Sequence, residues 1–198
     1  MTRFFCTTAS VVALLGISAP SVAAVFSYSA SLSGPNESPP NASPGIGTAL
    51  VDYDDLAHTL RVQATFSDLI GTVINAHIHG PTAEPETGTA GVITTTPTFA
   101  GFPAGVTSGV YDSTLDLTLA SSWNPSYVTA NGGTPAGAEA AFAEALAQHK
   151  TYFNIHTSPF TGGEIRGFLV PEPATLVLAG ISALPLLRRR RMPQQLTA

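Results

Sequence analysis

Residues 75 to 81 read NAHIHGP, which places His77 and His79 one residue apart in a chain with five histidines. In an extended strand alternate side chains leave the same face, so both imidazoles project together while Ile78 turns away. Neutral imidazole is a common nitrogen donor for zinc and copper. A His-x-His pair offers two donors from one strand, and YFNIH at 152–156 offers a third in His156. Water or Glu164 would take a fourth position. By the same alternation Asn154 and Arg166 share the face, Asn154 as a supporting hydrogen-bonding group and Arg166 as an attraction for an anion. The competing reading is a wet, outward-facing sheet surface whose histidines and asparagines bond to one another and hold no ion. His58 and His149 read as surface and helix-end residues and stay outside the set.

Other chemistries find little support. No serine sits in a G-x-S-x-G turn, and no glycine loop of the phosphate-binding kind follows a strand. Asp52, Asp54 and Asp55 read as a solvated turn, and calcium would need more oxygen ligands than that stretch supplies. The expectation is a non-enzymatic module.

The elements that must position the histidines are short strands. TLRVQATF (59–66) alternates cleanly, with Leu60, Val62, Ala64 and Phe66 on one face and Thr59, Arg61, Gln63 and Thr65 on the other. Similar stretches lie at 26–32, 48–53, 73–79, 91–95, 110–117, 152–156 and 164–169. In VINAHIH the alternation puts Ile74, Ala76 and Ile78 on the core side, opposite Asn75, His77 and His79. In YFNIH, Phe153 and Ile155 go inward while Tyr152, Asn154 and His156 go outward. AGAEAAFAEALAQHK (136–150), after Pro135, is an alanine-rich amphipathic helix. Segments 33–46 and 96–108 read as loops. The fold predicted is all-β: an antiparallel, Greek-key-like sandwich or barrel of about eight strands, with one short helix inserted before the last two.

The two ends differ from this middle. Residues 1–24 carry Arg3, an apolar run from Val11 to Ile17, and small residues up to Ala23 and Ala24, the pattern of a secretory signal peptide cut at one of those alanines. Residues 171–198 begin with Pro171, Glu172 and Pro173. An apolar stretch from Ala174 to Leu187 and four arginines follow. That stretch falls short of the roughly 20 residues a spanning helix needs, and Pro185 interrupts it, so it reads as a weak membrane anchor with its arginines on the cytoplasmic side. Between the ends, residues 25–170 carry three basic and twelve acidic residues, a net charge of −9. Such a domain repels polyphosphates, which argues against nucleic acid as a partner and for attraction of cations. The one cysteine, Cys6, lies in the leader, so disulfides and thiolate ligands are excluded from the domain.

The Pro-Glu-Pro triplet, apolar stretch and basic cluster resemble the PEP-CTERM sorting signal of Gram-negative bacteria. The resemblance implies passage through the secretion machinery, recognition by an exosortase at the inner membrane, and processing at Pro171, Glu172 and Pro173 instead of a role for them in the fold. Residues from about 26 to 170 resemble the CHRD domain in LSGPNESPP (32–40), GTALVDY (47–53), AHIHGP (76–81), YFNIHT (152–157) and GGEIRGFL (162–169). That likeness implies an extracellular β-sandwich-like module; with the sorting tail, the expectation is a protein of the cell envelope or matrix, with exopolysaccharide or matrix components as partners. AHIHG together with the late Arg166 is also similar to copper-zinc superoxide dismutase. There His77, His79 and His156 would be copper ligands and Arg166 the anion guide, although no histidine lies between His79 and Gly109 to bind zinc and both cysteines of the usual disulfide are missing. A copper-dependent oxidoreductase is therefore the second reading, and a structural matrix protein without a ligand the third.

Overall fold

The computed structural model describes residues 25–172. Eight strands form one antiparallel sheet that curls around an apolar core. In chain order they are β1 (Val25–Ser33), β2 (Ile46–Asp54), β3 (Thr59–Ser67), β4 (Val73–His79), β5 (Gly109–Asp116), β6 (Tyr152–Thr157), β7 (Ile165–Phe168) and β8 (Val170–Pro171). Across the sheet the order is β4-β6-β7-β1-β2-β3-β5, with β8 also paired to β1. The alternating pattern of the sequence maps onto this sheet directly. Leu60, Val62, Ala64 and Phe66 of β3 are all buried, as are Ala49, Val51 and Tyr53 opposite them in β2.

The strands at the two ends of that order, β4 and β5, are joined by the chain between them. Residues 91–106 run along the outer edge of β4 and bond to it at intervals. Ile93 N–H donates to Ile78 O, Phe99 N–H to Ala76 O and Gly105 N–H to Val73 O. The same segment buries Ile93, Phe99 and Phe102 in the core. Each such side chain contributes about 1.5–3 kcal/mol on burial, so the segment is anchored more by its side chains than by its sparse ladder. The expected strand at 91–95 is therefore not one. Only isolated bridges form, His79 to Val92 and Thr94 to Trp123, because the turn from edge strand to core interrupts the pairing.

The helical region expected before the last strands is present and consists of two consecutive short helices. The first, α1 (Pro125–Ala130), opens with Asn124 accepting from Ser126 N–H, and the second, α2 (Pro135–Ala147), with Thr134 accepting from Gly137 N–H. Each has proline in its first turn, where the missing N–H is not needed. Helix α2 spans the alanine-rich stretch but ends before Gln148, and His149 follows with φ +57°. Phe142 and Leu146 of α2 enter the core beside Trp123.

Two further expectations change. Val73, not Ile74, faces the core, because the register between β4 and β6 shifts between Val73 and Asn75 and leaves Ile74 exposed. At the far end the sheet takes in residues assigned to the tail: Pro171 pairs with Tyr28, and Glu172 N–H donates to Ser27 O. Ala23, Ala24, Pro173 and the apolar stretch Ala174 to Leu187 lie outside the described residues. Among the described residues no helix is long and apolar enough to cross a membrane.

Candidate metal centre

Strands β4, β6 and β7 present a second face, turned away from the core by the alternation that sends Ala76, Ile78, Phe153 and Ile155 inward. Antiparallel pairing sets Asn75 opposite His156, His77 opposite Asn154 and His79 opposite Tyr152, and then Asn154 opposite Arg166. Tyr152, Asn154, His156 and Arg166 thus share a face with the His-x-His pair, although His156 is about 80 residues from it in sequence.

This face is not wet. His77, His79 and His156 are 5, 8 and 7% exposed, Asn154 2% and Arg166 4%. The cover is backbone. Residues 86–98 pass over β4 and β6, and the turn at 34–43 passes over β7, where Asn36 O and Gly88 O accept from Arg166 Nε and Nη1 at 2.6 and 3.0 Å. The expectation of an outward, solvated surface is corrected accordingly: the polar face is roofed by loops that lack any hydrophobic period.

The three imidazoles converge. Their ring centroids lie 5.1 to 5.5 Å apart, and one nitrogen from each falls within 4.8 Å of the others. Each ring is fixed from behind by a main-chain carbonyl. His77 Nε2 donates to Pro97 O, His79 Nδ1 to Ala90 O at 3.0 Å, and His156 Nδ1 to Thr161 O at 3.0 Å. A carbonyl oxygen only accepts, so each contact places the ring's single proton there and leaves the opposite nitrogen as a lone pair. Those opposite nitrogens are His77 Nδ1, His79 Nε2 and His156 Nε2. The last two stand 3.3 Å apart, and His77 Nδ1 is buried without a hydrogen-bond partner. Locking one imidazole nitrogen to an acceptor is how metal-binding histidines are oriented.

Electrostatics keep the rings neutral. Burial pushes His77 and His79 down to about 4, only partly opposed by the carbonyl contacts, and it lowers His156 as well. Three uncharged imidazoles that each bring a nitrogen within 4.8 Å of the others can hold a cation, and copper or zinc fits nitrogen ligands of this kind.

The supporting residues divide. Asn154 sits among the histidines and the Glu37 side chain, around Gly163, with its Oδ1 buried and unpartnered. Arg166 is on the same face, but Tyr152 stands between it and the trio. Its guanidinium lies 4.7 Å over the Tyr152 ring, and that ring stacks on His79 at 4.9 Å and 7°. Arg166 also lines an open cleft of about 630 Å³ with Glu37, Ser29, Thr87 and Phe168. Glu164 is not brought to the trio. Its carboxylate accepts from Ser43 Oγ, Thr157 Oγ1 and the N–H groups of Ile70 and Gly71. Burial pushes its carboxyl up, yet these bonds outweigh that and hold it below the ordinary range.

Two contributors escape a reading of side-chain types. Glu37, 3.7 Å from Arg166 Nε, is pushed up to about 7 by burial, which outweighs the nearby guanidinium. Its place in PNESPP gave only a turn signal. The carbonyls of Ala90, Pro97 and Thr161 carry no signal in the sequence, because any residue supplies one.

No curated protein and no solved structure matches the chain. A family model described as CHRD domain matches residues 28–169, a span that runs from β1 to the residue between β7 and β8 and contains all three histidines. The chain belongs to the CHRD domain family.

Proposed function

We propose that this protein is an exported CHRD module of the cell envelope or extracellular matrix that binds one transition-metal ion, copper or zinc, through His77, His79 and His156, and that it is not an enzyme. The observation carrying the metal is that three buried, neutral imidazoles each bring a nitrogen within 4.8 Å of the others, with the free nitrogens of His79 and His156 3.3 Å apart and His77 Nδ1 unpartnered. A core histidine serving only structure would have both ring nitrogens paired, and each of these has one. Support for export comes from the leader pattern at 1–24 and the tail pattern at 171–198. With Pro171 and Glu172 bonded to β1, cleavage on the C-terminal side of Glu172 leaves the sheet whole.

The oxidoreductase reading has less behind it. The roof of 86–98 leaves an anion no evident path to the trio, and Arg166 points its charge across Tyr152 toward the cleft. Metal analysis of the purified protein tests the proposal. One equivalent of bound copper or zinc, lost in His156→Ala with the circular-dichroism spectrum retained, is the expected result. No bound metal and a melting temperature indifferent to both ions would leave the purely structural reading. Superoxide turnover by the copper-loaded protein would favour the enzyme. Mass spectrometry of the protein from its host would show whether leader and tail are removed.

A further inference from the structure

All three candidate ligand atoms belong to neutral imidazoles, and no aspartate, glutamate or cysteine joins them among the described residues. The groups behind the rings are neutral too, being the carbonyls of Pro97, Ala90 and Thr161. Carboxylates often stand in that outer position and balance part of an ion's charge. Here none does.

The fixed charges nearby make matters worse for a strongly charged ion. The Arg166 guanidinium is held against Tyr152, whose other neighbour is His79, so a cation already faces the trio across one aromatic ring. Of the two carboxylates nearby, only Glu37 balances part of that cation, and neither reaches the trio. Glu164 is taken up by four donors, and Glu37 lies against Arg166 itself. Hydration lost on burial grows with the square of the charge, so a dication forfeits about four times what a monocation does in the same surroundings. Hydroxide as a fourth ligand would restore balance, but no ring is more than 8% exposed and the roof closes the outer side.

Resting on the metal-binding reading above, we infer that the trio selects monovalent copper over divalent zinc or divalent copper. Imidazole suits zinc and copper alike, so the selectivity rests on charge: a three-nitrogen set with no anion suits the ion whose charge costs least to bury.

The test is a set of competition titrations on the full chain under anaerobic conditions at pH 8, with copper(I) buffered by bathocuproine disulfonate, and with zinc(II) and copper(II) each against a colorimetric chelator. One equivalent of copper(I) should bind with a dissociation constant at least about a hundredfold smaller than either divalent ion's. The site should vanish in His156→Gln. Arg166→Gln should narrow the gap, because removing a cation relieves a dication twice as much as a monocation. Should that variant fail to fold, Glu37→Gln serves instead: it leaves Arg166 unbalanced and should widen the gap. Zinc binding as tightly as copper(I), or a gap unmoved by either charge variant, overturns the inference while leaving the metal site standing. Failure of every ion to bind a folded chain overturns both.

Discussion

His79 Nε2 and His156 Nε2 face one another across 3.3 Å with a proton on neither, since each ring has given its N–H to a carbonyl on its far side. Two lone pairs at that distance repel, and a cation between or beside them turns the contact into an attraction. The strands that bring them together are paired over six residues in β6, so the repulsion is held in place by the sheet.

A first prediction follows for stability against metal. Ions that bind only the folded state stabilise it by mass action, about 2.7 kcal/mol at a free concentration one hundred times the dissociation constant. Thermal melts with added copper or zinc should therefore shift upward by several degrees, and a chelator should reverse the shift. In His156→Ala the curves with and without metal should coincide.

The metal-free protein should lose stability on acidification. For His77 and His79 the folded value, about 4, lies below the unperturbed 6.5, so between these limits the unfolded chain binds protons that the folded chain refuses. Each ring then subtracts up to about 1.4 kcal/mol per pH unit as pH falls from 6.5 to 4, and the loss levels off below 4. Glu37 works in the opposite sense. Its folded value is about 7, so its contribution is full below the unfolded 4.5 and fades as pH rises toward 7. His58, raised by its hydrogen bond to Glu139, also favours the acid side, though it is exposed. Two or three rings outweigh these, and urea midpoints measured from pH 7 to pH 4 should fall. Glu37→Gln should make the fall steeper.

Glu164 should matter for folding and not for the ion. Replacing it with glutamine turns an –NH2 group toward donors that need an acceptor, at a cost of about 2–4 kcal/mol for a buried, multiply bonded carboxylate. Denaturation of Glu164→Gln should show that loss, while metal stoichiometry stays at the wild-type value. A metal content reduced in the folded variant would place the carboxylate in the ligand sphere after all.

Gly163 has φ +130°, and a Cβ there would lie 2.5 Å from Glu37 Oε1 and 2.6 Å from Asn154 Nδ2. Gly163→Ala should therefore destabilise by about 1–3 kcal/mol through backbone strain and the displaced Glu37 side chain. The reading is a lower melting temperature. Gly162→Ala serves as the control, because nothing lies within 4 Å of its Cβ position.

Much of the candidate site could be read from residue spacing. The His-x-His pair needed only strand periodicity to share a face, and His156 joined it because YFNIH alternates in phase with VINAHIH once the two strands pair. The family likeness rested on the same motifs. The roof could not be read, because residues 86–98 act through carbonyl oxygens and three core side chains nearby in 91–106, none at a regular interval. The phase at Ile74 failed for a local reason: one irregular step at the start of β4 exchanges its role with Val73. Glu164 followed the alternation of its strand, yet it stands just before β7, where four donors from other segments turn its carboxylate aside.

The roof has one more consequence. Ala90 and Pro97 provide the rear acceptors for two of the three rings, so these rings take their final orientation only when that stretch is seated. For a metal-binding trio, loading would be tied to maturation: an ion would enter while the polypeptide is still closing or when the stretch lifts, and its residence time would be governed by how often a few main-chain contacts open.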